Sequence, residues 1–414
     1  MFVHWDHASQ RGWEVSWPLV GGVFSLPKSQ QTTAAEYHAL AATFDPTGYD
    51  PVGLAQTAAA AGMRYVVFTA RHHNGYSMYD TAVSDHKVSN SPYGAPSGRD
   101  LVRETADAFR AEGLHVGLYY SLSDWYHPDY PAWTEDFRPY RLGFSPPLPS
   151  DEQANRFRGY MMAQLRELLT GYGRIDIVWF DGGWERPATW WDTGAVESLI
   201  HDLQPDALIN DRLPGRGDFM TPEQFVPATA PGARWESCLT MNDSWGYNPD
   251  DTEYKSARAI IHALCETAGR GGNLLLNVSP KGDGTIPDEQ TVRLAEVAGW
   301  MSRHASAIHD TTAGLEPWQF YGPSTRTGQA GSSVLVNLFL LMRPYETVTV
   351  RGLPVRRVQS VRMLASGTEL RFDTRTGIFE SLMPDPDGEI IITVPATEID
   401  EYATVLQVEI TPAP

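Results

Sequence analysis

The run 175–180, Ile-Asp-Ile-Val-Trp-Phe, has the length and β-branched content of a strand, and Asp181 ends it before Gly182-Gly183. A carboxylate at a strand end, between Trp179 and Trp184, is poorly placed for a solvated surface charge. It suits a reactive group at the catalytic rim of a parallel barrel. The plainer alternative is a cap on the turn that follows. Other strand ends carry similar loads: His4 and Asp6, His72 and His73, Tyr119 and Tyr120, then Asn210, Asp211 and Arg212. In a barrel such residues converge on one pocket.

Eleven of the thirteen tryptophans precede residue 250, most of them in loops. Core packing does not ask for tryptophans there. A sugar pocket does, because flat rings stack on the apolar faces of pyranosides while a few polar groups fix the hydroxyls. Retaining glycoside hydrolysis needs two carboxyl groups, one to attack the anomeric carbon and one to protonate the leaving oxygen. Asp181 is the candidate nucleophile. Its partner is open among Glu223, Glu236, Asp218, Glu185 and Asp6, since it comes from another loop and spacing does not choose. Metal chemistry is the competing reading. His72-His73 makes a poor ligand pair if it continues a strand, because adjacent strand residues face opposite ways. His4-x-Asp6 suggests a metal-dependent barrel hydrolase, but no cluster with ligand-like spacing follows it. The glycines of 269–272 follow a helix instead of opening one, which reads as a C-cap and not a phosphate cradle.

The elements that must position these groups alternate. Strands are expected over 2–5, 65–69, 115–120, 175–180, 207–210 and 274–278. Helices are expected over 50–61, 99–112, 151–169, 192–203, 252–268 and 287–304. The helix 151–169 carries Phe157, Met161, Leu165 and Leu168 on one stripe. The loop 121–150, with Trp125, Tyr126, Trp133, Pro139, Pro146, Pro147 and Pro149, is long enough to be functional. The segment 214–250 reads as irregular. Near-continuous apolar strands alternating with helices predict a parallel sheet with helices outside, an α/β fold of the (β/α)8-like barrel type over 1–313. No Gly-x-Gly-x-x-Gly follows a strand, so a dinucleotide site lacks its signature. Beyond 313 come strands over 334–341, 347–350, 390–394 and 404–410 with Gly, Pro and Asp turns, a small all-β sandwich over 314–414.

The 414-residue chain can bury a large core. Its net charge of −19 argues against nucleic acid as a partner, because phosphate binding needs a basic face. Two cysteines, Cys238 and Cys265, are too few for a disulfide framework or a structural zinc site. No apolar run reaches membrane-spanning length. With no leader visible the chain reads as cytoplasmic, although a strand at residue 2 leaves room for residues before Met1 and for export. Assembly into a homo-oligomer is compatible with the sequence.

Seven motifs in order then resemble the α-L-fucosidases of glycoside hydrolase family 29. They are Phe2-Val3-His4-Trp5, the stretch 65–75 with Arg71-His72-His73-Asn74-Gly75, Gly117-Leu118-Tyr119-Tyr120-Ser121, Trp179-Phe180-Asp181-Gly182, Asn210-Asp211-Arg212, Ser244-Trp245-Gly246-Tyr247, and 271–280. The likeness covers nearly the whole chain. It implies a barrel followed by a β-sandwich, and exo-acting, retaining release of L-fucose from α-L-fucosylated glycans without metal or cofactor. It makes Asp181 the nucleophile and Glu223 the acid/base, with Glu236 in reserve. It gives His4, Trp17, His72, His73, Tyr120, Trp179, Arg212 and Trp245 the task of holding fucose. Two departures stand out. Ser16 precedes Trp17 where the family often has Glu, leaving Glu14 as a substitute contact, and Asn74 stands where Asp is usual. The two carboxyls are expected roughly 5–5.5 Å apart, as in other retaining enzymes. A fucose-binding protein without catalysis and a metal-dependent hydrolase remain the alternatives.

Overall fold

The protein is seen in a computed structural model, which describes residues 1–131, 138–141, 147–328 and 331–413. Trp133 and Pro146 of the long loop lie outside the described residues. Seven strands form one parallel sheet: β1 (Phe2–Val3), β2 (Tyr65–Arg71), β3 (His115–Ser121), β4 (Ile177–Asp181), β5 (Leu208–Ile209), β6 (Glu236–Leu239) and β7 (Asn273–Val278). Their order is β5-β4-β3-β2-β1-β7-β6. Between them run the helices α1 (Ala34–Ala39), α2 (Pro51–Ala60), α3 (Leu101–Ala111), α4 (Asp151–Gly171), α5 (Ala188–Trp191), α6 (Thr193–Leu203) and α7 (Ala257–Gly269), followed by α8 (Asp288–His304).

Helix ends follow local chemistry. Ser150 and Gln153 form a complete capping box on α4, and the expected stripe of Phe157, Met161, Leu165 and Leu168 is buried. Helix α7 begins at Ala257 and not at 252, because Ser256 caps it by accepting from Ala259 N–H.

The sheet curls. In the strand order β4 and β6 are five steps apart, about 24 Å if the sheet were flat. Yet Arg212 donates to Asp181 at the end of β4 while its Nη2 lies 3.9 Å from Cys238 Sγ on β6. One apolar cluster joins Phe2, Val67, Tyr119, Ile177, Trp179, Phe219, Cys238 and Leu275, contributed by nearly every strand. That is a barrel interior. Beyond β5, Phe219 adds a single parallel bridge to Asn210, which supplies a minimal eighth position. The segment expected to be irregular therefore contains β6 and this bridge. Both were hidden by length: Glu-Ser-Cys-Leu is four residues without an apolar run.

Two antiparallel sheets follow. One, of order β12-β15-β10-β9-β8, takes β8 (Thr312–Ala313), β9 (Ser324–Thr327), β10 (Val334–Leu340), β12 (Val358–Met363) and β15 (Thr404–Ile410). The other, β11-β14-β13, takes β11 (Thr347–Pro354), β13 (Phe372–Arg375) and β14 (Asp387–Thr393). Val336, Leu338, Val350, Ile390, Ile392, Leu406 and Val408, from both sheets, share one core. This is the sandwich expected from the alternation, with β8, β9, β12 and β13 added as short or one-sided strands that carry little pattern. The chain packs as two compact units. The first is Met1–Thr221, Cys238–Tyr254 and Leu275–Val292; the second is Pro222–Ser237, Lys255–Leu274 and Arg293–Pro414. The sandwich and α7 lie in the second.

Candidate active site

Period-two alternation decides which residues enter the barrel. On β4, Ile177, Trp179 and Asp181 share the inner face, and on β3 their register partners are Gly117, Tyr119 and Ser121. Asp181 thus arrives at the C-terminal end of β4 above Trp179. Gly182 follows at φ +71°, where a Cβ would also collide with Ser123 Oγ, so glycine is required for the chain to turn away there.

The Asp181 carboxylate is nearly buried. Its Oδ2 accepts from Tyr119 Oη at 2.7 Å and its Oδ1 from Arg212 Nη1 at 3.0 Å. Arg212 stacks over Trp179 at 4.6 Å from the ring centre, and its Nε donates to Thr221 Oγ1 at 3.1 Å. His73 Nε2 lies 3.7 Å from Asp181 Oδ2.

The resemblance chose Tyr120 for the sugar pocket, and the structure corrects this. Tyr120 faces outward, donating to Gln164 Oε1 at 2.9 Å and packing under Arg71 at 4.3 Å. Tyr119 takes the inner position, and its ring stacks on His72 at 5.3 Å and 5°. The register that pairs Ser121 with Asp181 puts Tyr119, two residues back, on the inner face.

His72 and His73 do not face opposite ways, as they would if they continued a strand. Strand β2 ends at Arg71, and His72–Gly75 is a turn closed by Gly75 N–H on the His72 carbonyl. Both rings enter the pocket, 4.1 Å apart. His72 Nδ1 meets Ser16 Oγ and His73 Nδ1 meets Ser121 Oγ, each at 2.6 Å. His4 Nδ1 meets Asn277 Oδ1 at 2.8 Å, and the ring packs 4.8 Å from Trp245. Burial pushes His4 down to about 4 and His73 down to about 3, and pushes His72 well below the ordinary imidazole value. All three are neutral near pH 7. His72, His73 and Asp181 also offer ligand atoms that all lie within 4.8 Å of one another. Their donor types and spacing fit a metal ion.

The walls are aromatic. Trp17 stands edge-on to His73 at 5.6 Å and to Trp125 at 5.6 Å, and the half-exposed Trp184 meets His73 at 5.9 Å. Glu14 does not reach this space as a substitute contact. It is buried, and its carboxylate accepts Trp245 N–H at 2.6 Å and Gly246 N–H at 3.1 Å. It fixes the Trp245 loop instead, and burial pushes it up to about 8. Asn74 donates to Asp6 at 2.6 Å and to Tyr37 Oη at 2.7 Å, a buried structural link behind the pocket.

Three candidates for the second carboxyl are occupied elsewhere. Asp6 accepts from Ala8 N–H and Asn74. Glu185 accepts from Trp125 Nε1 and Tyr130 Oη. Asp218 accepts from Ile209 N–H. Glu223 is exposed and Glu236 is buried, and both belong to the second compact unit. Ser16, Ser121 and Asn277 are site residues that the sequence did not single out. Hydroxyls and amides that orient other side chains carry no pattern of their own.

The sequence model of the α-L-fucosidase family matches residues 1–306. The tissue α-L-fucosidase of Bos taurus is 29% identical over 363 residues, covering 83% of this chain and 73% of that one. Among solved structures, α-L-fucosidase isoenzyme 1 from Paenibacillus thiaminolyticus superposes with a TM-score of 0.83 at 34% identity, covering 99% and 96% of the two chains. A GH29 α-L-fucosidase from Bacteroides thetaiotaomicron, trapped as a covalent intermediate with 2-fluoro-fucosyl fluoride, superposes with a TM-score of 0.80 at 25% identity over 98% and 92%. The inner-face carboxylate with its arginine, tyrosine and histidine neighbours thus sits in a barrel shared with these proteins. The chain belongs to the α-L-fucosidases of glycoside hydrolase family 29.

Proposed function

We propose that this glycosidase is an exo-acting, retaining α-L-fucosidase that releases L-fucose from α-L-fucosylated oligosaccharides or glycoconjugates through a covalent fucosyl-enzyme. The observation that carries the reading is Asp181, on the inner face at the C-terminal end of β4, bonded by Tyr119 and Arg212. Two fixed donors aim the carboxylate and oppose its random rotation, the requirement for a nucleophile that must meet one carbon. Neutral His4, His72 and His73 present ring nitrogens suited to sugar hydroxyls, and the partly exposed Trp17 and Trp245 supply apolar faces. Trp179, expected among the sugar contacts, is instead buried between Arg212 and Tyr119 and acts by backing the arginine. A trapped covalent intermediate in the Bacteroides thetaiotaomicron relative supports the two-step course.

In the first step Asp181 attacks the anomeric carbon while a carboxylic acid gives its proton to the departing oxygen. In the second that group takes a proton from water, which attacks the same carbon. Glu223 is assigned this acid/base role. It lies on an exposed segment outside any strand, suited to an aglycone that must enter and leave. Glu236 is the reserve. Its burial meets the need for a dry setting, but it heads β6, at the end of the strand opposite to where barrel enzymes do their chemistry.

The test is hydrolysis of an aryl α-L-fucoside by wild type and Glu223→Ala, each with added azide. Formation of a β-configured fucosyl azide by the variant supports both retention and the role of Glu223. An unimpaired variant on poor leaving groups moves the role to Glu236. An inert wild type removes the reading.

A further inference from the structure

We infer that His72, His73 and Asp181 form a binding site for a divalent transition metal such as Zn2+, and that the metal competes with the sugar for the pocket. The ligand atoms of the three residues all lie within 4.8 Å of one another, and all three side chains are buried. Two imidazoles and one carboxylate are a donor set that borderline metals favour.

Proximity is not the only support. His73 Nε2 is buried and has no hydrogen-bond partner, and it faces Asp181 Oδ2. Its protonation follows from the hydrogen-bond chain. Ser121 Oγ donates to the Ser123 carbonyl at 2.7 Å, so its proton is committed. It therefore accepts from His73 Nδ1, at 2.6 Å. The ring proton sits on Nδ1, and Nε2 turns a lone pair into the pocket. A histidine whose far nitrogen is held by an oxygen is the usual arrangement of a metal ligand. His72 Nδ1 meets Ser16 Oγ, which also accepts from Asn74 N–H, so a metal at His72 Nε2 takes the place of any ring proton there. Asp181 Oδ2 takes one hydrogen bond from Tyr119 and keeps a second lone pair. Arg212 opposes the metal. Its charge lies 3.0 Å from Asp181 Oδ1, so the site suits a reversible inhibitor better than a resident ion. The same nitrogens await sugar hydroxyls, which is why metal and sugar exclude each other.

The inhibition rests on the fucosidase reading; the binding does not. Co2+ is the probe, read by its visible d–d absorption and by calorimetry on the full chain. We expect saturable binding that is lost in Asp181→Asn and His73→Gln, weakened about 10–100-fold in Ser121→Ala, and displaced by L-fucose. Circular dichroism checks that each variant is folded. In turnover of an aryl α-L-fucoside, Zn2+ is expected to raise apparent KM and leave kcat unchanged, with reversal by chelator. Binding unaffected in both ligand variants overturns the site, as does its dependence on a second group of buried imidazoles, His7 and His86, tested by His86→Phe. Noncompetitive inhibition overturns the competition. An active enzyme indifferent to metal sinks this inference alone. Asp181-dependent Co2+ binding without fucosidase activity sinks the functional reading and leaves the metal site standing.

Discussion

The barrel rim and the sandwich both bury polar groups, and they treat them oppositely. In the sandwich sheet Gln407 donates to Asn337 at 2.9 Å, Asn337 to Thr325 at 3.1 Å, and Thr325 to the Ala307 carbonyl at 2.6 Å. The chain closes on itself. Around it the core is branched aliphatic: Val336, Leu338, Ile390, Ile392, Leu406 and Val408. At the rim, His4, His72, His73 and Asp181 are also buried, yet His73 Nε2 is left unpartnered and faces a carboxylate. An unmet buried nitrogen is unfavourable by about 1–3 kcal/mol. The sandwich gathers stability, whereas the rim gives some up to keep binding capacity open. All twelve histidines lie at or before residue 309, so the contrast is written into composition as well.

The sharpest way to break this contrast is Asp181→Ala. It should lower kcat by about a thousandfold or more while the far-ultraviolet spectrum stays folded. A variant keeping about a tenth of wild-type turnover contradicts the nucleophile role.

The next test uses two neighbouring tyrosines. Tyr119→Phe removes a bond to a charged group and should reduce kcat about tenfold to a hundredfold. Tyr120→Phe loses only the bond to Gln164; it should leave kcat/KM within about twofold and lower stability by about 1 kcal/mol. Equal kinetic losses would show that inner and outer faces do not divide function.

A sandwich core change should do the reverse. Ile392→Ala, at a fully buried position, should destabilise by about 2–5 kcal/mol and leave kcat/KM unaltered below the melting range. A kinetic defect there would mean that the sandwich does more than pack.

The smallest effect is in pH. Burial lowers His4 to about 4 and His73 to about 3, while the unfolded chain protonates histidine near 6.5. The unfolded state therefore binds more protons in this window. These histidines contribute stability that is full above pH of about 6.5 and is lost as pH falls toward 4 and 3. Asp6, raised by burial to about 6, and Glu14, raised to about 8, act with the opposite sign. The comparison must therefore be with a variant. Denaturant midpoints read by tryptophan fluorescence should fall less steeply with acid in His73→Gln than in wild type. Identical slopes would mean that His73 is not held neutral by the fold.

Much of the fold was legible in sequence because the strands of the barrel are buried on both faces and read as apolar runs, and helices such as α4 carry a clean stripe and a capping box. Strands β6 and β8 and the Phe219 bridge were not legible, because two to four residues leave no period to read. In the site, Asp181, Arg212 and the histidines stood out by type at strand ends. Strand alternation puts Tyr119 and Tyr120 on opposite faces, but only the register of β3 against β4 decides that Tyr119 faces inward.

The sequence alone determined the composition of the pocket: a carboxylate, an arginine, histidines and tryptophans at the ends of parallel strands. It also determined the family, through motifs spread along nearly the entire chain. Only the tertiary structure decided that β2 stops before His72, so that two adjacent imidazoles point the same way. It alone showed that Glu14 is consumed in holding the Trp245 loop, and that Ser121 sets which nitrogen of His73 is open. These are contacts between residues 48 to 232 positions apart. A strand's periodicity reports which face a side chain takes, but the partner it meets there depends on how the sheet curls.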